Sequence, residues 1–154
     1  MKNYLFLDID GVLTSARVHV ASQKPGTWAA FDPVAVNFLE KVVDKWPAEI
    51  VISSTWRRIY DRYDWEGLFG LSNMTRYFHQ NWRTGLDGPK RTHEIAEWLV
   101  AHGGPEYNYI ILDDEDHSFT EEQKRHWVHT DSENGMTLEN YSEILDKTQL
   151  RGKL

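Results

Sequence analysis

Apolar positions along the chain follow two rhythms. Residues 4–7, 49–53 and 109–112 form short runs with no polar alternation, the pattern of strands buried on both faces of a parallel sheet covered by helices. Residues 127–129 suggest a last short strand. Between these runs the period lengthens to that of a helix. After Asp32-Pro33, an N-cap followed by proline at the first helical position, Val34, Phe38, Leu39, Val42, Val43 and Trp46 recur until Pro47. Pro89 opens a second helix over about 90–102, with Ile95, Trp98 and Leu99 on its apolar side and Gly103-Gly104-Pro105 as its stop. Thr137 caps a last helix through about Lys147. Residues 58–88 are less regular, with helical pieces expected around Ile59, Tyr63 and Leu68. Strands alternating with helices predict a three-layer α/β/α fold, a Rossmann-like and mostly parallel sheet.

Two of the apolar runs deliver acids. The first runs into Asp8-Ile9-Asp10-Gly11, and strand alternation aims Asp8 and Asp10 the same way. The third runs into Asp113-Asp114, adjacent carboxylates that repel each other unless a cation is near. Ligands of open parallel sheets bind off the carboxyl ends of the strands, which is where these acids fall. The strand at 49–53 ends in Ser53-Ser54-Thr55-Trp56-Arg57-Arg58, a polar and basic loop on the same edge.

Composition narrows the picture. The length of 154 residues fits one domain over 1–154. Absence of cysteine excludes a disulfide framework and thiolate metal sites. The seven histidines form no H-x-x-x-H or H-E-x-x-H pattern, which argues against zinc. No apolar run approaches membrane-spanning length and Met1-Lys2-Asn3 leads straight into a strand, so no membrane contact and a cytoplasmic location are expected. A net charge of −7, from 17 basic and 24 acidic residues, argues against strong binding of duplex DNA.

The sequence Asp8-Ile9-Asp10-Gly11-Val12-Leu13-Thr14 resembles the first motif of the haloacid dehalogenase (HAD) superfamily, and three later segments fall where that family places its other motifs. The resemblance spans nearly the whole chain. It implies a Mg²⁺-dependent phosphomonoesterase in which Asp8 attacks phosphorus to form an aspartyl-phosphate. Asp10 protonates the leaving group and then activates water. Retention of Asp10 points away from the dehalogenase and transport-ATPase branches. Ser53, or Ser54 if the register slips by one, takes the place of the second-motif hydroxyl. For the third-motif cation, helix spacing favours Arg91 and residue chemistry favours Lys90. Asp113 and Asp114 match the fourth motif, so that Asp8, Asp10, Asp113 and Asp114 are the candidate Mg²⁺ ligands, with Asp116 assisting through the metal's water shell. Arg57 is a candidate phosphate clamp. His117 and Glu115 read as turn residues.

No gap between motifs holds a full cap domain, and Ser15 to Ala30 is expected to form a small flap. Ser53 to Arg57, Glu94 to Leu99, Leu112 to Asp114 and Asn134 to Thr137 resemble the HAD domain of Swiss army knife RNA-repair proteins and the phosphatase half of polynucleotide kinase-phosphatase. The implied substrate is a nucleotide or a phosphorylated nucleic-acid end. A kinase half is missing, because no G-x-x-x-x-G-K-[ST] occurs. Arg57, Arg58 and Arg62, with Trp56 and Trp65 among them, form a patch suited to pairing with a phosphate and stacking on a base. Two other classes stay open: a phosphatase for an unrelated small metabolite, and a HAD-fold module that binds without turnover. A glycosyltransferase using Asp-x-Asp fails on size.

Overall fold

The computed structural model describes residues 1–21 and 31–150. Five strands, β1 (Lys2–Leu7), β2 (Glu49–Ile52), β3 (Phe78–Arg83), β4 (Tyr107–Asp113) and β5 (Trp127–His129), form one sheet in the order β3-β2-β1-β4-β5. Every pairing is parallel. The helices are α1 (Ala16–Ala21), α2 (Pro33–Lys45), α3 (Arg62–Phe69), α4 (Arg91–His102), α5 (Glu121–His126) and α6 (Leu138–Lys147).

Alternation along β1 divides the core in two. Leu5 and Leu7 face α2, α3 and α6, and pack with Leu39, Val43, Trp65, Tyr141 and Ile144. Tyr4 and Phe6 face the other way, onto Ile95, Trp98 and Leu99 of α4 and onto Phe119. The three layers follow from this two-sided burial. Local chemistry sets the helix ends: Asp32 accepts from the Val34 amide, and Thr137 with Asn140 and Thr120 with Gln123 form reciprocal capping boxes.

Two elements depart from the sequence reading. Residues 78–83 form an edge strand rather than part of an irregular stretch, and six polar residues form α5. An edge strand need not alternate, and here one residue of the six, Phe78, is buried. The helical pieces expected around Ile59, Tyr63 and Leu68 are a 3-10 turn over Thr55–Arg58, closed by an exposed Ile59, and α3. Of the expected flap, α1 is present, hydrogen-bonded through the Ala16 and Arg17 amides to Ser132 and Glu133 and ion-paired to Asp32 through Arg17. Residues 22–30 of the flap lie outside the described residues. No helix among the described residues is long and apolar enough to cross a membrane.

Candidate active site

The sheet's hydrogen-bond ladder extends just past its strands and fixes the next residues on one edge. The amide of Asp8 donates to Leu112 O at 3.0 Å and that of Ser53 to Leu7 O at 3.0 Å. Thr130 donates to Asp113 O at 3.0 Å. Asp8, Ser53 and Asp113 are thus held side by side by backbone geometry before any side chain acts.

Three acids converge there. Asp8, Asp113 and Asp114 each offer a carboxylate oxygen, and the three atoms lie within 4.8 Å of one another. Asp113 is fully buried and Asp8 is 5 % exposed, so their charges must be met inside the protein. Arg91, from the first turn of α4, meets both: Nη1 lies 2.6 Å from Asp113 Oδ2 and 3.3 Å from Asp8 Oδ1. One guanidinium does not neutralise three carboxylates. Burial and the charge of Asp113 push the Asp8 carboxyl up to about 8 against the pull of Arg91, and burial raises Asp114 as well. Asp113 goes the other way, because its hydrogen bond to His117 and its contact with Arg91 outweigh the effect of burial. Carboxylate oxygens gathered this closely favour a proton or a cation among them. Hard oxygen donors at this spacing suit Mg²⁺.

Gly11 makes room for the cluster. Its φ is +76°, and a Cβ there would lie 2.2 Å from Asp114 Oδ2. Behind it, the Thr130 hydroxyl donates to Gly11 O at 2.7 Å and the Met136 amide to Val12 O at 2.9 Å, bracing the turn from the loop after β5.

The two serines differ. Ser54 Oγ accepts from the Trp56 amide at 3.2 Å and caps the following 3-10 turn. Ser53 Oγ is fully buried with no partner among the described residues. A buried orphan hydroxyl is costly, and one placed beside an acid cluster on the ligand edge is what a bound oxyanion would satisfy. A family model, the HAD domain in Swiss Army Knife RNA repair proteins, matches residues 4–141. The chain belongs to this family. Neither a curated protein nor a solved structure matches it. It is accordingly a HAD-family phosphatase, a hydrolase on an α/β sheet of Rossmann type.

Within this HAD domain, several residues sit apart from where the sequence reading set them. Asp10 stays out of the acid group: its carboxylate is exposed, accepting from Thr14 Oγ1 at 3.1 Å and from Trp56 Nε1 at 3.0 Å. The carboxylates that converge are those of Asp8, Asp113 and Asp114, without Asp10. Lys90 occupies the N-cap of α4 with its side chain exposed, so Arg91 is the cation at the acids. Asp116 is exposed and accepts from the Phe119 amide at 3.2 Å.

Arg57, the candidate phosphate clamp, is turned into the protein. It is 2 % exposed, and its five N–H donors are spent on Thr84 O, Ser53 O, Ser54 O, Gly85 O and the Glu94 carboxylate, the last at 2.9 Å. It ties the ends of β2 and β3 to α4. Trp65, expected in a stacking patch, is fully buried in the core. His117, read as a turn residue, reaches in instead: Nε2 lies 2.8 Å from Arg91 Nη1 and 3.2 Å from Asp113 Oδ1. Beside it opens a cleft of about 400 Å³ lined by Thr55, Arg58, Lys90, Arg91, His117 and Ser118.

Proposed function

We propose that this HAD domain hydrolyses phosphomonoesters through an aspartyl-phosphate on Asp8, depends on Mg²⁺, and takes a nucleotide or a phosphorylated nucleic-acid end as substrate. The observation that carries this reading is the contrast between its two first-motif acids. Asp8 is buried against Arg91 and two further carboxylates, while Asp10 is exposed and held by two neutral donors. Arg91 and the cation that Asp8, Asp113 and Asp114 would hold favour the ionised, nucleophilic form of Asp8, which leaves Asp10, outside that cluster, for the acid's role.

In the first half-reaction, an Asp8 carboxylate oxygen attacks phosphorus, the ester P–O bond breaks, and Asp10 gives its proton to the departing oxygen. In the second, water attacks phosphorus, Asp10 takes its proton back, and the bond to Asp8 breaks. Arg91 offsets the crowding of negative charge, and Ser53 Oγ donates to a phosphoryl oxygen. Asp8, Asp113 and Asp114 would hold Mg²⁺, which supplies charge neutralisation for the phosphoryl group. The open cleft, with exposed Arg58 and Lys90 on its wall, leaves room for the remainder of a large substrate. The family's description as a part of RNA repair proteins supports a nucleic-acid end over a small metabolite.

A panel of nucleotides, 3′- and 5′-phosphorylated oligonucleotides and sugar phosphates tests the reading. Phosphate release is expected from the nucleic-acid members, to be stopped by EDTA and restored by Mg²⁺. Asp8→Asn is expected to abolish it, since an amide forms no acyl-phosphate. Undiminished release by Asp8→Asn sinks the covalent mechanism, and a preference for sugar phosphates moves the enzyme to the metabolite class.

A further inference from the structure

Asp10 and Trp56 lie in the turns that follow β1 and β2, 46 residues apart in sequence, yet the indole Nε1 lies 3.0 Å from Asp10 Oδ2. The indole is itself placed twice over. Ser54 caps the 3-10 turn that carries it, and its ring packs against Phe31 and Tyr60 at centroid distances of 5.7 and 5.5 Å. The other oxygen of Asp10, Oδ1, accepts from the Thr14 hydroxyl at 3.1 Å. Asp10 makes no ion pair among the described residues, so these two donors are what orient an otherwise exposed carboxyl.

The two donors are not equivalent. An indole N–H donates and cannot accept, whereas a hydroxyl does either. Oδ2 facing the indole can therefore serve only as an acceptor, and the proton that Asp10 exchanges is left to Oδ1, where the Thr14 hydroxyl can turn to accommodate it. We propose that Trp56 is a positioning residue for the proton transfer, holding the Asp10 carboxyl in one orientation so that Oδ1 faces the leaving oxygen. This rests on the phosphatase reading above. In the step concerned, the ester P–O bond breaks as the bond from Asp8 forms, and the proton on Asp10 Oδ1 passes to the leaving oxygen. Trp56 exchanges no proton itself.

A positioning role for acid catalysis predicts a loss that depends on the leaving group. Phenyl phosphate releases a basic phenolate that needs a proton, whereas p-nitrophenyl phosphate releases an anion that departs without one. Trp56→Phe keeps an aromatic ring and removes the donor; replacing Trp56 by 3-benzothienylalanine keeps the full shape and removes the donor alone. Each is expected to lower kcat on phenyl phosphate by about tenfold or more and on p-nitrophenyl phosphate by less than about threefold, with KM within about twofold. Equal losses on both esters, or none on either, overturn the proposal.

A second measurement needs no turnover. Among the seven tryptophan indole N–H resonances of ¹⁵N-labelled protein, the one missing from Trp56→Phe is expected to lie downfield and to move in Asp10→Ala. If it does not move, the proposal falls whatever the enzyme hydrolyses. If it moves while wild-type protein releases phosphate from no ester, the contact stands and the phosphatase reading fails instead.

Discussion

Arg57 shows how far a residue's environment can redirect its chemistry. In sequence it stands in a run of cations after a strand, the setting of a phosphate ligand. In the fold its guanidinium is closed off, with every donor used and Glu94, itself 5 % exposed, as its counter-charge. Arginine suits this position because its planar fork carries five donors for five acceptors, where an ammonium has three. Removing it leaves Glu94 only the longer contact with Arg58, at 3.7 Å, and takes a donor from each of four backbone carbonyls. Arg57→Ala is expected to cost about 3–5 kcal/mol of stability, the scale of breaking one partner of a buried pair. Arg57→Lys should recover little of it. Urea denaturation checks both, and an Arg57→Ala protein of wild-type stability with a raised KM would return Arg57 to the substrate. Sequence alone could not separate these roles, because Glu94, Thr84 and Gly85 are brought to Arg57 by the packing of α4 and β3. The same applies to His117, whose reach to Arg91 and Asp113 depends on how the chain turns after β4.

At the scale of elements, legibility follows burial. Strands β1, β2 and β4 were visible because both faces are covered, which forces an unbroken apolar run. Strand β3 was not, since only one flank pairs and its polar side chains meet solvent. Yet β3 is tied firmly to the second core through Trp98 of α4. That side chain is 4 % exposed, packs edge-on against Tyr4 and Phe6 at 5.0 and 5.4 Å, and donates from Nε1 to Asn81 O at 2.9 Å. Trp98→Ala is expected to lose about 3–5 kcal/mol, as for a large buried aromatic. Trp98→Phe keeps most of the packing and leaves the Asn81 carbonyl without its donor, a loss of about 1–3 kcal/mol. Denaturant unfolding of the two variants should rank them in that order; equal losses would assign the whole effect to the hydrogen bond. The acid motifs were legible for a related reason, because a strand buried on both faces must end at the ligand edge. Their division of labour was not, since the turn at Gly11 sends Asp8 and Asp10 to different partners.

For the whole molecule, charge sets the kind of partner the site can accept. A net −7 repels an extended polyanion. Against that background, Arg58 and Lys90 stand on the wall of the cleft beside Arg91, and Arg62 follows in the next turn. The side chains of Ile59 and Tyr63 in that stretch are 73 % and 83 % exposed. Two or three cations can pair with the terminal phosphate and its neighbour, and with little beyond. Binding of a 5′-phosphorylated single strand to the Asp8→Asn protein should therefore fall gently with salt. At about 0.7 counterions released per phosphate, two contacts give a slope near −1.4 in log K against log salt. Fluorescence anisotropy over a range of KCl concentrations measures it, with unphosphorylated strand and blunt duplex as comparisons. The phosphorylated strand is expected to bind most tightly and the duplex not at all. A slope several times steeper, or duplex binding equal to that of the strand, would mean that an extended basic surface overrides the acidic net charge and that recognition does not begin at the end.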